Sequence, residues 1–161
     1  MMRHAKAEPF AATDHERRLT DRGRSSARDV GAHLRDAAEL PDYALVSSAV
    51  RTRETWAELV EASGTTCEPA FDDAVFTGSP DVVLEALRAV PDDARTVLFL
   101  GHNPTASYVC HLLDDGEGDP AATSEMLTGF PPAAVATLEV TVSWAELAPE
   151  TARVTGFYVG T

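Results

Sequence analysis

The stretch Thr96-Val-Leu-Phe-Leu-Gly-His-Asn-Pro104 decides the fold. Its first five residues, 96–100, form an apolar run of β-favouring side chains, which predicts a buried strand. Asn103-Pro104 pairs a capping residue with the proline that favours a first helical turn, and the segment to residue 113 is predicted to be helical. A buried strand followed at once by a helix is typical of an α/β fold with a parallel sheet. Polar residues after such a strand, here His102, lie at the sheet edge where sites form.

Strands and helices alternate along the rest of the chain. Short apolar runs predict further strands at 43–47, 134–142 and 153–159. Apolar residues at helical spacing, with capping or stop residues, predict helices over 21–39, 51–62 and from residue 80. Residues 114–132 are acidic and rich in Gly and Pro, which predicts a loop. We therefore expect one domain over 1–161, a three-layer α/β sandwich whose mostly parallel central sheet is flanked by helices.

Three short segments place phosphate-binding groups where predicted strands end. They are Arg3-His4, residues 47–51 with Arg51 last, and Gly101-His102-Asn103. Arginine presents a fork of donors that suits phosphate oxygens. A neutral histidine nitrogen can attack phosphorus and hold the phosphoryl group covalently. The sequence therefore predicts a phosphate site of two arginines and two histidines, with a helix N-terminus beside it that adds a positive dipole end.

These motifs resemble those of the histidine phosphatase superfamily, the phosphoglycerate-mutase-like proteins. Arg3-His4-Ala5 is similar to the family's first-histidine motif, and Gly101-His102-Asn103-Pro104 to its second. Ser47-Ser-Ala-Val-Arg51-Thr-Arg-Glu-Thr55 is similar to the Ser-x-x-x-Arg-Ala-x-x-Thr motif. The stretch Asp14-His-Glu-Arg17-Arg-Leu-Thr-Asp-Arg-Gly23 resembles the Arg-Pro-Leu-Thr-x-x-Gly segment of the SixA-like phosphohistidine phosphatases, a branch without a cap domain.

The resemblance implies a role for each matched residue. His4 is the nucleophile that becomes phosphohistidine, and Arg3 and Arg51 clamp the phosphoryl oxygens. His102 donates to the same oxygens, and Arg17 matches a further arginine that reaches the phosphate pocket. No metal and no cofactor are implied.

Two parts of the family pattern lack a clear match. The proton donor for the leaving group is one: Asp72 or Asp73 lies in about the right region, but both could also be exposed loop carboxylates. The first strand is the other, because only Met1 and Met2 precede Arg3 where the family has several more apolar residues. We expect a truncated first strand that holds the first histidine poorly, or a start codon further upstream.

The charge distribution bears on the partners. The chain carries 26 acidic and 13 basic residues, a net charge of −13, which argues against nucleic acid as the main partner. Residues 1–53 hold ten of the bases with eight acids, so the arginines concentrate where the phosphate motifs begin. Cys67 and Cys110 form no CxxC pair, and no apolar run is long enough to span a membrane. We expect a cytoplasmic protein.

Three functions remain open at this point. The first is a metal-independent phosphatase with a phosphohistidine intermediate, acting on phosphohistidine in proteins. The second is a phosphomonoesterase for small molecules such as sugar or nucleotide phosphates. The third is a non-catalytic phosphate-binding regulatory module. The physiological substrate and the oligomeric state stay open.

Overall fold

A six-stranded sheet forms the centre of the computed structural model, which describes residues 1–161. The strands are β1 (Met2–Arg3), β2 (Tyr43–Ser47), β3 (Pro69–Asp72), β4 (Val97–Gly101), β5 (Ala134–Val140) and β6 (Ala152–Val159), in the spatial order β3-β2-β4-β1-β5-β6. Strands β3, β2, β4 and β1 are parallel neighbours, whereas β5 is antiparallel to both β1 and β6. The prediction of a mostly parallel sheet is confirmed.

Helices cover both faces of this sheet. They are α1 (Asp21–Asp36), α2 (Val50–Ser63), α3 (Pro80–Arg88), α4 (Thr105–Leu113) and α5 (Pro120–Thr128), with a short 3-10 helix at Trp144–Glu146. Val46 of β2 packs in one core with side chains of α1 and α2, and its neighbour Leu45 packs in another with α3 and α4. This division follows from the pleat, because successive strand residues point to opposite faces. The predicted three-layer sandwich is confirmed.

Local sequence signals set most helix ends. Thr20 caps α1, because its Oγ1 accepts the Gly23 N–H at 3.0 Å. Ser79 caps α3 in the same way, with Pro80 at the first helical position. Gly64 ends α2 with φ of +72°, a left-handed conformation that glycine adopts without steric cost.

Three sequence-based expectations differ from the structure. The predicted loop 114–132 contains α5, whose first turn Asp119 caps by accepting the Ala122 N–H at 2.8 Å. Asn103 does not cap α4, which begins at Thr105, and its side-chain amide donates to the Phe130 carbonyl instead. Strand β3 was not predicted. Its only strand partner is β2, and most of its side chains are not buried.

Main-chain hydrogen bonds hold the short β1 and the residue after it. Met1 exchanges two bonds with Ala136 of β5, both 2.8 Å long. The His4 N–H donates to Gly101 of β4 at 3.0 Å, and the His4 carbonyl accepts the Ala133 N–H at 3.1 Å. The backbone of His4 is therefore fixed from both neighbouring strands although β1 spans only two residues.

A mostly apolar cavity lies away from the three motifs. It has a volume of about 710 Å³ and lies between the first residues of β4 and the last residues of β5, next to Met1. Its lining is mostly apolar and includes no histidine and neither of the motif arginines. No helix of the protein combines the length and the apolar character needed to cross a membrane.

Candidate active site

The three predicted motif positions converge at one edge of the sheet. His4 follows β1, Arg51 lies in the first turn of α2 directly after β2, and His102 follows β4. Because β2, β4 and β1 are parallel neighbours, their carboxyl ends meet. Arg51 Nε lies 3.2 Å from His4 Nε2, Arg51 Nη2 lies 3.2 Å from His102 Nδ1, and the imidazole centroids are 5.2 Å apart.

The contacts of His4 fix its tautomer. Its Nδ1 lies 2.7 Å from the Ala5 carbonyl oxygen, which can only accept, so Nδ1 carries the proton. The lone pair is then on Nε2, where Arg51 Nε donates to it. Burial and the nearby charge of Arg51 together lower the pKa of His4 to about 4, although the hydrogen bond to the Ala5 carbonyl acts in the opposite direction. His4 therefore presents a neutral Nε2 at neutral pH, the form that can act as a nucleophile.

His102 is held in the complementary tautomer. Arg51 can only donate, so His102 Nδ1 accepts from it and Nε2 carries the proton. That proton is donated to the Oγ of Ser47, 2.7 Å away at the fully buried end of β2. Burial lowers the pKa of His102 to about 3, with contributions from His4 and Arg51. Both imidazoles are therefore neutral at neutral pH in the ligand-free site.

One carboxylate joins two arginines at the site. Asp14 Oδ2 pairs with Arg51 Nη2 at 3.0 Å, and Oδ1 pairs with Arg17 Nη1 at 2.9 Å. The Asp14 carbonyl also accepts from Arg51 Nη1 at 2.6 Å. The hydrogen bond from Arg17 and the charge of Arg51 hold the pKa of Asp14 below its usual range. The structure thus brings the predicted Arg17 to the cluster and adds Asp14, which the sequence analysis did not select.

Arg3 lies on the β5 side of the cluster. Its Nη1 donates to the Phe130 carbonyl at 2.9 Å, and the amide of Asn103 donates to the same oxygen at 2.8 Å. Arg3 Nε and Asn103 Oδ1 are buried without a partner. Arg3 and Asn103 line an open groove together with the segment from Gly129 to Pro131. Arg3 thus keeps a donor that a bound anion can use.

The structure does not bring Asp72 or Asp73 to this cluster. Asp72 ends β3 at the sheet edge, and its Oδ1 accepts the Ala74 N–H at 2.7 Å. Asp73 is exposed. No hydrogen bond or ion pair joins either carboxylate to the two histidines or to the site arginines, so their role as proton donor stays a prediction without a supporting contact.

Phe76 and His15 form a wall of the site. The Phe76 ring meets both His15 and His102 edge to face, at centroid distances of 4.9 and 5.5 Å. The Arg51 guanidinium carbon lies 5.7 Å from the same ring. His15 Nε2 lies 3.1 Å from Ser48 Oγ. His15 lies in the loop of Arg17, where the sequence allows either a place at the pocket edge or exposure to solvent, and the structure shows it partly buried at the edge. Phe76 lies in a loop without a motif, so only the tertiary path of the chain places it.

No family model matches the chain. A solved structure from Nakamurella multipartitia, assigned as a phosphohistidine phosphatase SixA, is 34% identical, with a TM-score of 0.86. The alignment covers 99% of this chain and 94% of that one. The chain belongs to the SixA-like branch of the histidine phosphatase superfamily. The family resemblance that the sequence motifs indicate is thereby confirmed. The predicted α/β fold class is confirmed as well.

Other relatives of this SixA-like protein fit the same assignment. An uncharacterised protein of Mycobacterium tuberculosis is 34% identical over 160 residues, covering 98% of this chain and 99% of the relative. One from Mycobacterium leprae is 32% identical over 163 residues, with the same coverage. A SixA structure complexed with tungstate shares the fold, with a TM-score of 0.80 at 22% identity over 98% of this chain and 94% of that one.

Proposed function

We propose that this protein is a phosphatase that carries the phosphoryl group on His4 and acts on phosphohistidine in other proteins. The observation that carries the proposal is the neutral His4 ring, whose unprotonated Nε2 lies 3.2 Å from the guanidinium of Arg51. Phosphoryl transfer requires a nucleophile with a cationic group beside it, because most of the catalysis consists of positioning the reactants and stabilising the charge on the phosphoryl oxygens. No metal takes part in the proposed reaction.

Transfer to the enzyme would begin with attack of His4 Nε2 on phosphorus. The bond from Nε2 to phosphorus forms as the bond to the substrate nitrogen breaks, and the electron pair of that bond leaves with the imidazole. The phosphorylated His4 ring becomes cationic, and its Nδ1–H keeps its bond to the Ala5 carbonyl, 2.7 Å away. Arg51, Arg3 and Arg17 then offset the charge of the phosphoryl oxygens.

Hydrolysis would complete the cycle. Water attacks phosphorus, the bond to Nε2 breaks, and His4 regains its lone pair as inorganic phosphate forms. His102 lies 5.2 Å from His4 between ring centroids, close enough to share a bound phosphoryl group. The negative charge of that group favours protonation of His102 Nδ1, which would then donate to a phosphoryl oxygen.

The lack of a protonated acid in contact with the cluster favours phosphohistidine over a phosphate ester as the substrate. An alcohol leaving group needs a proton from a nearby acid, whereas the labile P–N bond of phosphohistidine depends less on one. Asp14 is the carboxylate that contacts the cluster, and its lowered pKa keeps it ionised at neutral pH. A protein substrate also agrees with the architecture, because the five helices pack on the sheet and none of them forms a cap domain.

Two free cysteines fit the reducing cytoplasm, where we place the reaction.

The first test is covalent labelling of His4. A ³²P phosphodonor should give an acid-labile, base-stable label on the wild-type chain and none on His4→Ala. His111→Ala removes an exposed histidine on α4 and is the matched control, which should label like the wild type. Label that persists on His4→Ala would exclude His4 as the nucleophile.

The second test is a substrate panel. It compares phosphorylated histidine-containing domains and phosphohistidine peptides with sugar phosphates, nucleotides and phosphotyrosine. We expect turnover of the phosphohistidine proteins. Turnover of the small molecules alone would replace the proposal with a phosphomonoesterase, and phosphate binding without any turnover would favour a regulatory module.

A further inference from the structure

The carboxylate of Asp14 occupies donors that a phosphoryl group would need. Its two oxygens bridge Arg51 Nη2 at 3.0 Å and Arg17 Nη1 at 2.9 Å. Both arginines are the phosphate-binding residues of the proposed function, on which this inference rests. A carboxylate that spans two such guanidinium groups makes the contacts that two phosphoryl oxygens would make.

Arg51 has few free donors while Asp14 is in place. A guanidinium carries five N–H groups. Arg51 directs four of them to His4 Nε2, to His102 Nδ1 and to both the carbonyl and the carboxylate of Asp14, which leaves one N–H of Nη1 free. The bond to His4 is given up when Nε2 attacks phosphorus. Movement of the Asp14 carboxylate frees a further donor, on Nη2, for the phosphoryl oxygens.

The surroundings of Asp14 allow this exchange. Its side chain is 58% exposed, whereas that of Arg51 is 6% exposed. The carboxylate has no hydrogen-bond partner other than the two arginines. Glu54 and Glu58, two acids of α2 that face α1, differ from Asp14. Their side chains are only 13% and 10% exposed. Each pairs with two arginines, and Glu54 also accepts the Leu19 N–H. Asp14 can therefore move into water at low cost, and these acids cannot.

We propose that Asp14 is an exchangeable anion of the phosphate pocket. It neutralises Arg17 and Arg51 while the pocket is empty, yields them to the phosphoryl group, and competes for them again when the product is inorganic phosphate. A pocket of three arginines would otherwise retain a phosphate dianion strongly. The competing carboxylate lowers the affinity for the product and promotes its release.

The opposite role predicts the opposite result. If Asp14 only orients the two arginines, its removal should loosen them and weaken phosphate binding. If Asp14 competes with phosphate, its removal should strengthen that binding. The sign of the change in the dissociation constant therefore separates the two roles.

The test is calorimetric titration of the full chain with inorganic phosphate at about pH 8. Asp14→Asn should bind phosphate roughly three- to tenfold more tightly than the wild type, the range expected for removal of a partly exposed ion pair. Glu8→Gln is the matched control, because it makes the same charge change in the same loop and the Glu8 carboxylate makes no hydrogen bond or ion pair. It should leave the dissociation constant unchanged.

Each other outcome has a defined meaning. Unchanged or weaker binding by Asp14→Asn, with phosphate still bound at the site, overturns the exchange and leaves the proposed function intact. Equal tightening in Glu8→Gln also overturns it, because the effect would then be one of net charge. Phosphate binding that is absent in the wild type, or that Arg51→Gln leaves unaltered, contradicts the phosphate pocket and with it the proposed function.

Discussion

Acidification should destabilise the folded protein through its two buried histidines. Burial lowers the pKa of His4 to about 4 and that of His102 to about 3, against about 6.5 in an unfolded chain. Between those values the unfolded chain binds protons that the folded chain excludes. Stability is therefore complete above about pH 7 and falls as the pH drops through the window from 6.5 to 4.

The size of this loss follows from the pKa values. At pH 5 an unfolded histidine with a pKa of 6.5 is almost fully protonated, whereas His4 in the folded protein is mostly neutral. Proton linkage converts that difference to about 2 kcal/mol of unfolding free energy. His102 adds no more than about the same amount, because it is the less buried of the two rings.

Urea unfolding near pH 8 and pH 5 in phosphate-free buffer measures the effect. Trp56 is 5% exposed in the core between α1 and α2, so its fluorescence reports unfolding. Between the two pH values His4→Asn should lose about 2 kcal/mol less stability than the wild type, because the asparagine does not titrate. His111→Asn is the control for the removal of an exposed imidazole.

Equal losses of stability in the wild type and in His4→Asn between the two pH values would contradict a neutral, buried His4. His4 would then be charged in the folded protein, or exposed enough to titrate normally, and the neutral nucleophile would have no basis. Added phosphate gives an independent check. A bound phosphate anion favours the charged imidazoles, so saturating phosphate should reduce the loss at pH 5.

Three substitutions test single contacts. Arg51→Lys replaces the planar guanidinium group by a single ammonium group and should slow phosphoenzyme formation roughly ten- to a hundredfold in the labelling assay. Thr55→Val leaves the Ala5 N–H without the Oγ1 it donates to at 3.1 Å, and should lower the urea-derived unfolding free energy by about 1–3 kcal/mol. Gly23→Ala would place a Cβ 2.0 Å from the Lys6 carbonyl oxygen, so the melting temperature should fall by an amount that corresponds to about 1–3 kcal/mol.

Strand β2, inside the sheet, was predictable from sequence, whereas the edge strand β3 was not. Strand β2 matches its prediction at residues 43–47, because four of its five side chains are buried and read as an apolar run. In β3 no side chain is fully buried, and the pattern Pro-Ala-Phe-Asp has no period that distinguishes a strand. Helix α5 buries only Ala122 and Met126, which leaves its apolar pattern weak although Asp119-Pro120 is a sound starting signal.

The same distinction holds at the active site. His4 and His102 could be assigned because each directly follows a strand, and Arg51 because it lies in the first turn of the helix after β2. Parallel neighbours bring these strand ends together. Asp14 and Phe76 reach the site from loops. Their positions depend on contacts between distant residues, such as the carboxylate of Asp14 with Arg51, which no local pattern encodes. Sequence therefore identified the groups expected to react with phosphate and missed those that line or compete for the pocket.

The net charge of the chain does not describe the field at the site. Arg18, Arg24 and Arg28 pair with Glu54, Glu58 and Glu61 of α2, so these three arginines are neutralised locally. Asp14 pairs with two of the three site arginines, Arg17 and Arg51, and both histidines there are neutral. Three positive charges and one negative charge leave a local charge of +2. A phosphoryl dianion would balance that charge in a protein whose total is −13, which explains how a strongly acidic chain can bind an anionic substrate.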